Sequence, residues 1–307
     1  MKILFIIFFL VISVLTEAQS KWKIAYVHWV DTVTSENRLN TMDIDGSNIQ
    51  TVIDYPGSSW MPLVFDNKIW FHIEKDTAGK RKGLYIYDQE KEHYLFDAKG
   101  LYQDISLDTN SNMYAGGFLH KAEGRLKSQY DIFLFNENGS FKKAITSDTA
   151  IDLEPWFSPD GKQLVFRSNR DRNPKSWAEF EIYIVNSDGS GLKRLSYNPD
   201  TTKNVLRSAN PCFTPGGRIA YTAYLEGTYR IMIMNTDGTG LMPLFKMDEL
   251  EQTGFNFSAD GKLVVFTGRK KGAGNADIYL INSDGTGLRQ LTNDWKRKVQ
   301  PFFIKVK

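Results

Sequence analysis

Short segments in which apolar and polar residues alternate run along the chain after an apolar N terminus. Six of them end in an aspartate or asparagine: RLNTMD from Arg38, GLYIYD from Gly83, DIFLFN from Asp131, EIYIVN from Glu181, RIMIMN from Arg230 and DIYLIN from Asp277. A period of two residues is typical of half-buried β-strands, whereas a helix would repeat about every 3.6 residues. The pattern therefore predicts an all-β protein.

Each of these strands has apolar neighbours before and after it. The preceding strands are KIAYVHW from Lys23, KIWFHI from Lys68, NMYAGGF from Asn112, QLVFRS from Gln163, RIAYTA from Arg218 and LVVFTG from Leu263. The following strands are NIQTVI, HYLFDA, FKKAIT, LKRLSY, LMPLFK and LRQLTN. A fourth, innermost strand precedes five of the units, in WMPLVFDNK, DISLDTNSN, PWFSPDGK, PCFTPGGR and FNFSADGK. The repeating unit is therefore a four-stranded sheet.

The innermost strand is missing before Lys23, and its counterpart, PFFIKVK from Pro301, stands at the C terminus. A radial array of sheets closes when the last strand completes the first sheet. We therefore predict a six-bladed β-propeller of four-stranded antiparallel blades rather than an open β-solenoid, which repeats at shorter periods. The expected boundaries are 1–18 for a signal peptide and 19–307 for one propeller domain, with blades at about 21–58 plus 301–307, 59–103, 104–153, 154–209, 210–253 and 254–300.

The phrases NSDGSGL, NTDGTGL and NSDGTGL begin at Asn186, Asn235 and Asn282. Asp-Gly is favoured in tight hairpins whose central residues need positive φ, so these phrases predict the turns between strands. The Asp-Gly turns do not match a calcium-binding EF-hand loop. In the turn that begins at Asp43, for example, the glycine comes two positions too early for such a loop. We expect no metal at these turns.

Two longer phrases carry a resemblance to a known family. They are EPWFSPDGKQLVFRSNRD from Glu154, followed by EIYIVNSDGSGLKRLS, and SADGKLVVFTGRKKGAGNADIYLINSDGTGLRQLT from Ser258. Both resemble the PD40-type, WD40-like repeat of TolB propellers. TolB proteins carry an α/β domain before the propeller, whereas the strands here begin at Lys23, so the resemblance implies a TolB-like propeller alone. It implies a fold rather than an activity, because similar propellers serve as binding platforms, peptidase gates and lyase scaffolds.

The first residues, MKILFIIFFLVISVLTEAQS, place Lys2 before the apolar run 3–15 and Ala18 before an expected cleavage point. This pattern is typical of a secretory signal peptide, and the run is shorter than the ~20 residues of a membrane span. We expect a periplasmic or secreted protein, with an uncleaved membrane anchor as the alternative. Cys212 is the single cysteine, which excludes an intramolecular disulfide, and a net charge of +2 gives no reason to expect nucleic acid as a partner.

Strand parity separates two faces of the predicted propeller. The Asp-Gly turns share one face, here the turn face, and the long connections share the other, here the loop face, where function usually resides. Basic and aromatic residues expected in these loops, as a binding surface, are Arg170, Arg172, Trp177, Arg207, Arg269, Lys270, Trp295 and Arg297. The residues expected to begin the innermost strands and to ring the mouth of the central channel are Ser59, Asp104, Glu154, Asn210, Thr253 and Gln300.

The sequence contains no nucleophile elbow, no phosphate-binding glycine loop and no histidines at metal-ligand spacing. We therefore expect no cofactor, no metal and no catalytic residue. The leading hypothesis is a non-enzymatic platform that binds an envelope or secreted protein through the basic loop face, which favours an acidic partner. The alternative is a carbohydrate-active propeller, a lyase or glycan binder, that takes an anionic glycan at the channel mouth.

Overall fold

The computed structural model describes residues 22–31, 36–55, 57–65, 67–76, 83–97, 100–120, 129–172, 178–199, 206–294 and 296–305. These residues form strands and connecting turns, with no helix among them. None of the described segments is a helix with the length and apolarity needed to cross a membrane. The signal peptide predicted at 1–18 lies outside the described residues.

The strands follow one another in groups along the chain. The first group is β1 (Trp22–Asp31), β2 (Glu36–Asp43) and β3 (Gln50–Tyr55). The second is β4 (Gly57–Phe65), β5 (Lys68–Asp76), β6 (Gly83–Tyr87) and β7 (Glu92–Phe96). The third is β8 (Leu101–Asp108), β9 (Met113–His120), β10 (Gln129–Phe135) and β11 (Phe141–Ala144).

The second half of the chain repeats the same grouping. The fourth group is β12 (Asp152–Phe157), β13 (Gln163–Ser168), β14 (Glu181–Asn186) and β15 (Lys193–Arg194). The fifth is β16 (Ser208–Phe213), β17 (Ile219–Leu225), β18 (Thr228–Met234) and β19 (Met242–Pro243). The sixth is β20 (Leu250–Phe257), β21 (Leu263–Lys270), β22 (Asp277–Asn282) and β23 (Arg289–Gln290), and β24 (Lys298–Lys305) ends the chain.

The six sheets each contain four antiparallel strands in sequence order, and β24 is the inner strand of the first sheet, in the order β24-β1-β2-β3. Ala25 of β1 pairs with Phe302 of β24, so the two ends of the chain are joined by a strand ladder. The predicted six-bladed propeller, with its first blade completed from the C terminus, is confirmed. We number the blades 1 to 6 from the one that contains β1.

The hydrophobic core lies between the blades rather than inside a single sheet. Val165, Ile182 and Ile184 of blade 4, for example, pack against Tyr221 and Met232 of blade 5. Similar clusters join the other neighbours, including blade 6 with blade 1 across the closure. Because the middle strands pack on both sides, β14 is buried at its first five positions instead of alternating. Burial on both faces favours near-continuous apolar strands such as EIYIVN.

The Asp-Gly turns differ in one respect from the expectation. Gly189 has a φ of +87°, but the preceding Asp188 is not among the residues with positive φ. The aspartate stabilises the turn through its side chain instead, since Asp188 Oδ1 accepts hydrogen bonds from the Ser190 backbone N at 2.8 Å and Oγ at 2.6 Å. Only the glycine therefore needs the left-handed conformation, and the aspartate is selected for its carboxylate.

Basic side chains on the outer strands link neighbouring blades on the turn face. Lys193 of β15 donates from Nζ to the backbone O of Asp237, in the next blade's turn, at 2.8 Å. Lys143 of β11 makes the same contact with the backbone O of Asp188. Met242 holds the corresponding place in blade 5, because it pairs with Ile233 as Lys193 pairs with Ile184.

Candidate functional site on the loop face

The innermost strands share an unusual backbone conformation near the channel mouth. Glu154, Asn210 and Gln300 have φ values of +56°, +52° and +54°, and Gly254 of β20 has +35°. The strand register shifts around each of these positions. A proline follows each of the three non-glycine residues, and proline is tolerated in a sheet mainly at such bulges. Four blades therefore present equivalent residues to the channel from a kinked strand.

Three of the predicted channel-mouth residues lie close together. Glu154, Asn210 and Gln300 all line a cavity of about 50 Å³ inside the channel. Thr253 does not line that cavity, because the equivalent residue of β20 is the next one, Gly254. Thr253 instead faces two openings on the loop face, of about 440 and 180 Å³.

The two remaining residues predicted at the mouth, Ser59 and Asp104, belong to β4 and β8. Their side chains lie outside the described part of the structure. Whether they contribute to the mouth therefore stays a prediction.

Glu154 is held in a buried ion pair. Its Oε1 lies 2.7 Å from an Arg167 guanidinium nitrogen, and the two side chains are 10% and 4% exposed. Its Oε2 accepts a hydrogen bond of 2.6 Å from the backbone N of Asn210 in the next blade. The Arg167 guanidinium also lies 4.5 Å above the Phe180 ring. With both carboxylate oxygens engaged, Glu154 joins two blades structurally and is poorly placed to act as a free acid or base.

Three of the arginines predicted for a basic loop surface are neutralised by neighbours. Arg170 lies 2.8 Å from buried Asp152 and 3.1 Å from Asp148. Burial raises the pKa of Asp152, and the charge of Arg170 opposes that rise. Arg170 is therefore packed between two carboxylates, and its part in a binding surface stays a prediction.

Arg172 and Arg207 are engaged in the same way. Arg172 lies 2.6 Å from buried Glu181. Arg207 is itself buried, 3.9 Å from Glu179. Counting basic residues in the loops thus overstates the positive charge that a partner would meet.

The other basic residues predicted for the loop surface lie where blade 6 meets blade 1. Arg269 is exposed and donates from Nε to Glu251 at 2.7 Å. Lys270 is exposed at the end of β21 and forms no ion pair with any residue that the structure describes. Arg297 lies 5.2 Å above the Trp29 ring, and burial together with the nearby Arg269 charge lowers its pKa. The uncompensated positive charge is therefore concentrated in this sector.

Two of the predicted aromatic residues lie outside the described part of the structure, and the single cysteine is buried. Trp177 and Trp295 are not among the residues that the structure describes. Cys212 is buried, and burial raises the pKa of its thiol to about 12. No three His, Cys, Asp or Glu side chains within the described ranges are close enough to hold a metal ion.

Comparison with known proteins agrees with the architecture. Residues 122–255 match the PD40 family, described as the TolB beta propeller domain. The chain is 31% identical over 172 residues to a protein TolB homolog from Chlorobium luteolum, covering 56% of this chain and 36% of that protein. It is 33% identical over 125 residues to dipeptidyl-peptidase 5 from Porphyromonas endodontalis, covering 41% of this chain and 16% of that protein.

Among solved structures, TolB from Acinetobacter baumannii superposes with a TM-score of 0.69 at 22% identity, covering 92% of this chain and 66% of that chain. At this identity the superposition supports the fold alone. The sequence matches span about a third or less of the curated relatives' own length. The chain is therefore a six-bladed β-propeller, and its residues 122–255 are similar to the TolB beta propeller domain.

Proposed function

We propose that this protein is an exported, non-enzymatic platform of the cell envelope that binds a protein partner through its loop face. The TolB-like fold supports a protein-interaction platform in general terms. The apolar leader at 1–18 supports export, and the mature chain should then begin at Gln19. Mass spectrometry of the protein recovered from the producing cells tests that part of the proposal.

The observation that carries the proposal is a difference in charge between the two faces. The turn face presents aspartates whose pKa is lowered, chiefly by hydrogen bonds from serine or threonine hydroxyls, so they stay negative into the acid range. They are Asp45, Asp160, Asp188, Asp237, Asp260 and Asp284. The loop face instead carries uncompensated Lys270, and uncompensated Arg297 beside the channel mouth. Such a field steers an acidic partner to the loop face and repels it from the turn face.

The carbohydrate-active alternative has less support from the same residues. A lyase or glycosidase needs a titratable side chain that is available to the substrate. Glu154 is the one carboxylate among the described residues that line the channel cavity, and both of its oxygens are engaged. We therefore favour protein docking.

Two charge reversals of equal size test the proposal. The first is Lys270→Glu with Lys271→Glu on the loop face, and the matched control is Lys162→Glu with Lys262→Glu on the turn face. All four lysines are exposed, and Lys262 and Lys270 lie at opposite ends of the same blade. Both variants should unfold cooperatively at nearly the same temperature as the parent protein, because surface charges contribute little to stability.

The assay is cross-linked capture of a protein from envelope extract at low and high salt. We expect the loop-face variant to capture on the order of tenfold less partner, and the turn-face variant to match the parent. High salt should reduce capture by the parent, since exposed charges are screened. Equal loss in both variants, or capture that does not depend on salt, would contradict docking through the loop face.

A further inference from the structure

The opening of about 440 Å³ on the loop face arises from a change in the repeat itself. Arg167, Thr222 and Thr267 occupy equivalent positions, because each pairs with the first isoleucine of the neighbouring strand. Facing them on the inner strands are Glu154, Asn210 and Gly254, the residues with equivalent positive φ.

The large Glu-Arg pair of blade 4 is therefore replaced by Asn-Thr in blade 5 and Gly-Thr in blade 6. Smaller side chains leave space, and the opening lies where they occur. It shares Asn210, Thr253, Thr267, Arg297 and Val299 with the adjoining opening of about 180 Å³. We call the two together the blade 5–6 cavity.

Buried polar groups without partners line this cavity. Thr222 and Thr267 are 3% and 2% exposed, and neither hydroxyl makes a hydrogen bond with a residue that the structure describes. Most buried hydroxyl groups in proteins have a hydrogen-bond partner, because leaving one without a partner costs free energy. Two such hydroxyls from neighbouring blades, on one cavity, indicate hydrogen-bonding capacity for a ligand.

The charge at the cavity favours an anion. Glu251 is the one carboxylate among the described lining residues, and it is compensated by Arg269. Arg297 lines both parts of the cavity and forms no ion pair with any residue that the structure describes. Its pKa is lowered by burial and by Arg269, so the cation is held in an unfavourable position that a bound anion would relieve.

We propose that the blade 5–6 cavity binds a small organic acid, with its carboxylate on Arg297 and its hydroxyl or amide groups toward Thr222 and Thr267. The volume is within the range of small-molecule sites, which hold ligands the size of a sugar acid or an acylated amino acid. A guanidinium recognises a carboxylate by paired hydrogen bonds, and threonine hydroxyls can donate to or accept from the rest of the molecule. The site shares Arg297 with the proposed docking face, but binding of a small acid does not require a protein partner.

Calorimetric titration of the purified protein tests the site with two acids, D-galacturonate and N-acetyl-L-alanine. Their uncharged counterparts, D-galactose and N-acetyl-L-alaninamide, are the controls. We expect at least one acid to bind at millimolar concentration or below, and its uncharged counterpart to bind on the order of tenfold more weakly. Which acid binds better identifies the class of ligand, and both results support the site.

Three variants test the cavity, and a fourth serves as the control. Arg297→Gln removes the cation, Thr267→Val removes one hydroxyl at nearly constant shape, and Gly254→Asn fills the space. The filling variant should fold, because Asn210 already adopts this conformation in blade 5 and a Cβ at Gly254 would come no closer than 3.6 Å to another atom. Lys262→Gln removes an equal charge from the turn face.

Arg297→Gln and Gly254→Asn should each weaken binding on the order of tenfold, Thr267→Val severalfold, and Lys262→Gln not at all. Failure of both acids to bind, equal binding of an acid and its uncharged counterpart, or unchanged binding in folded Arg297→Gln and Gly254→Asn would overturn the proposal. Because the titration uses no protein partner, its result is independent of the docking experiment.

Discussion

Replacing Glu154 with glutamine should reveal how much the buried pair with Arg167 contributes to stability. The substitution keeps the shape of the side chain but removes the negative charge 2.7 Å from the guanidinium. A buried charge that loses its partner typically costs about 3–5 kcal/mol of unfolding free energy. The loss is large because Arg167 is 4% exposed and cannot turn to solvent without moving its neighbours.

The expected change in melting temperature follows from the size of the chain. An unfolding entropy of about 2.1 cal/mol/K per residue over 307 residues is about 0.6 kcal/mol/K, so 1 kcal/mol shifts the melting temperature by about 1.6 °C. Glu154→Gln should therefore lower it by about 5–8 °C. Differential scanning calorimetry gives the shift, and urea titration gives the free energy independently.

The repeat supplies a compensating variant. Glu154→Asn with Arg167→Thr installs the pair that blade 5 carries at Asn210 and Thr222. Asparagine adopts positive φ more readily than glutamate, and removing both charges leaves neither unpaired. The double variant should lose about 2 kcal/mol or less despite removing more atoms. If Glu154→Gln shifts the melting temperature by less than about 2 °C, or the double variant is the less stable of the two, the pair is not the buried link between blades that we describe.

Three further outcomes follow from the turns and the blade contacts. Met242→Lys should add the link that Lys193 makes to the next blade, and raise the unfolding free energy by up to about 1 kcal/mol in urea titration; a decrease would contradict the repeated clamp. Ser190→Ala should raise the lowered pKa of Asp188 toward 3.8, measured by carboxyl NMR titration, and an unchanged pKa would exclude the hydroxyl as its chief cause. A lowered carboxyl pKa contributes stability that is present above the pKa of the unfolded state and is lost as pH falls through the pKa of the folded state. The parent should therefore lose stability below about pH 4 more steeply than this variant. Gly83→Ala should cost about 2 kcal/mol or more by calorimetry, since φ is +135° and a Cβ would lie 2.5 Å from a backbone oxygen; a neutral effect would refute that close approach.

The architecture could be predicted from sequence because its determinants are local and repeated. Strand alternation, the Asp-Gly turns and the displaced segment at Pro301 together predicted six blades and the closure, which the pairing of β24 with β1 confirms. β14 is buried continuously rather than alternately, but EIYIVN is still predicted as a strand, because both alternating and continuous apolar segments are typical of strands.

The candidate site was predicted less completely, because its determinants depend on strand register. Glutamate is not a residue that signals positive φ, so the kink at Glu154 is visible only after it is aligned with Gly254 and Asn210. The same alignment would have revealed Thr222 and Thr267 opposite them, which sequence reasoning missed.

The charge of the loop face could not be read from composition for a similar reason. Arg170 finds Asp152 across the strand pair β12–β13, a contact between residues 18 positions apart. Residue type alone reports the charge of the arginine but not the carboxylate beside it. Arg297 stays available because Glu251, the one carboxylate among the described residues that line the 440 Å³ opening with it, is already paired with Arg269.

The most direct test of the account is a comparison of the two faces in the producing cells. A photo-reactive amino acid is placed either at Lys271 on the loop face or at Lys262 on the turn face, both exposed and in the same blade. Illumination should link a single envelope protein to the chain labelled at Lys271 and none to the chain labelled at Lys262. A partner linked only through Lys262, or equally through both positions, would contradict the assignment of the loop face as the docking surface.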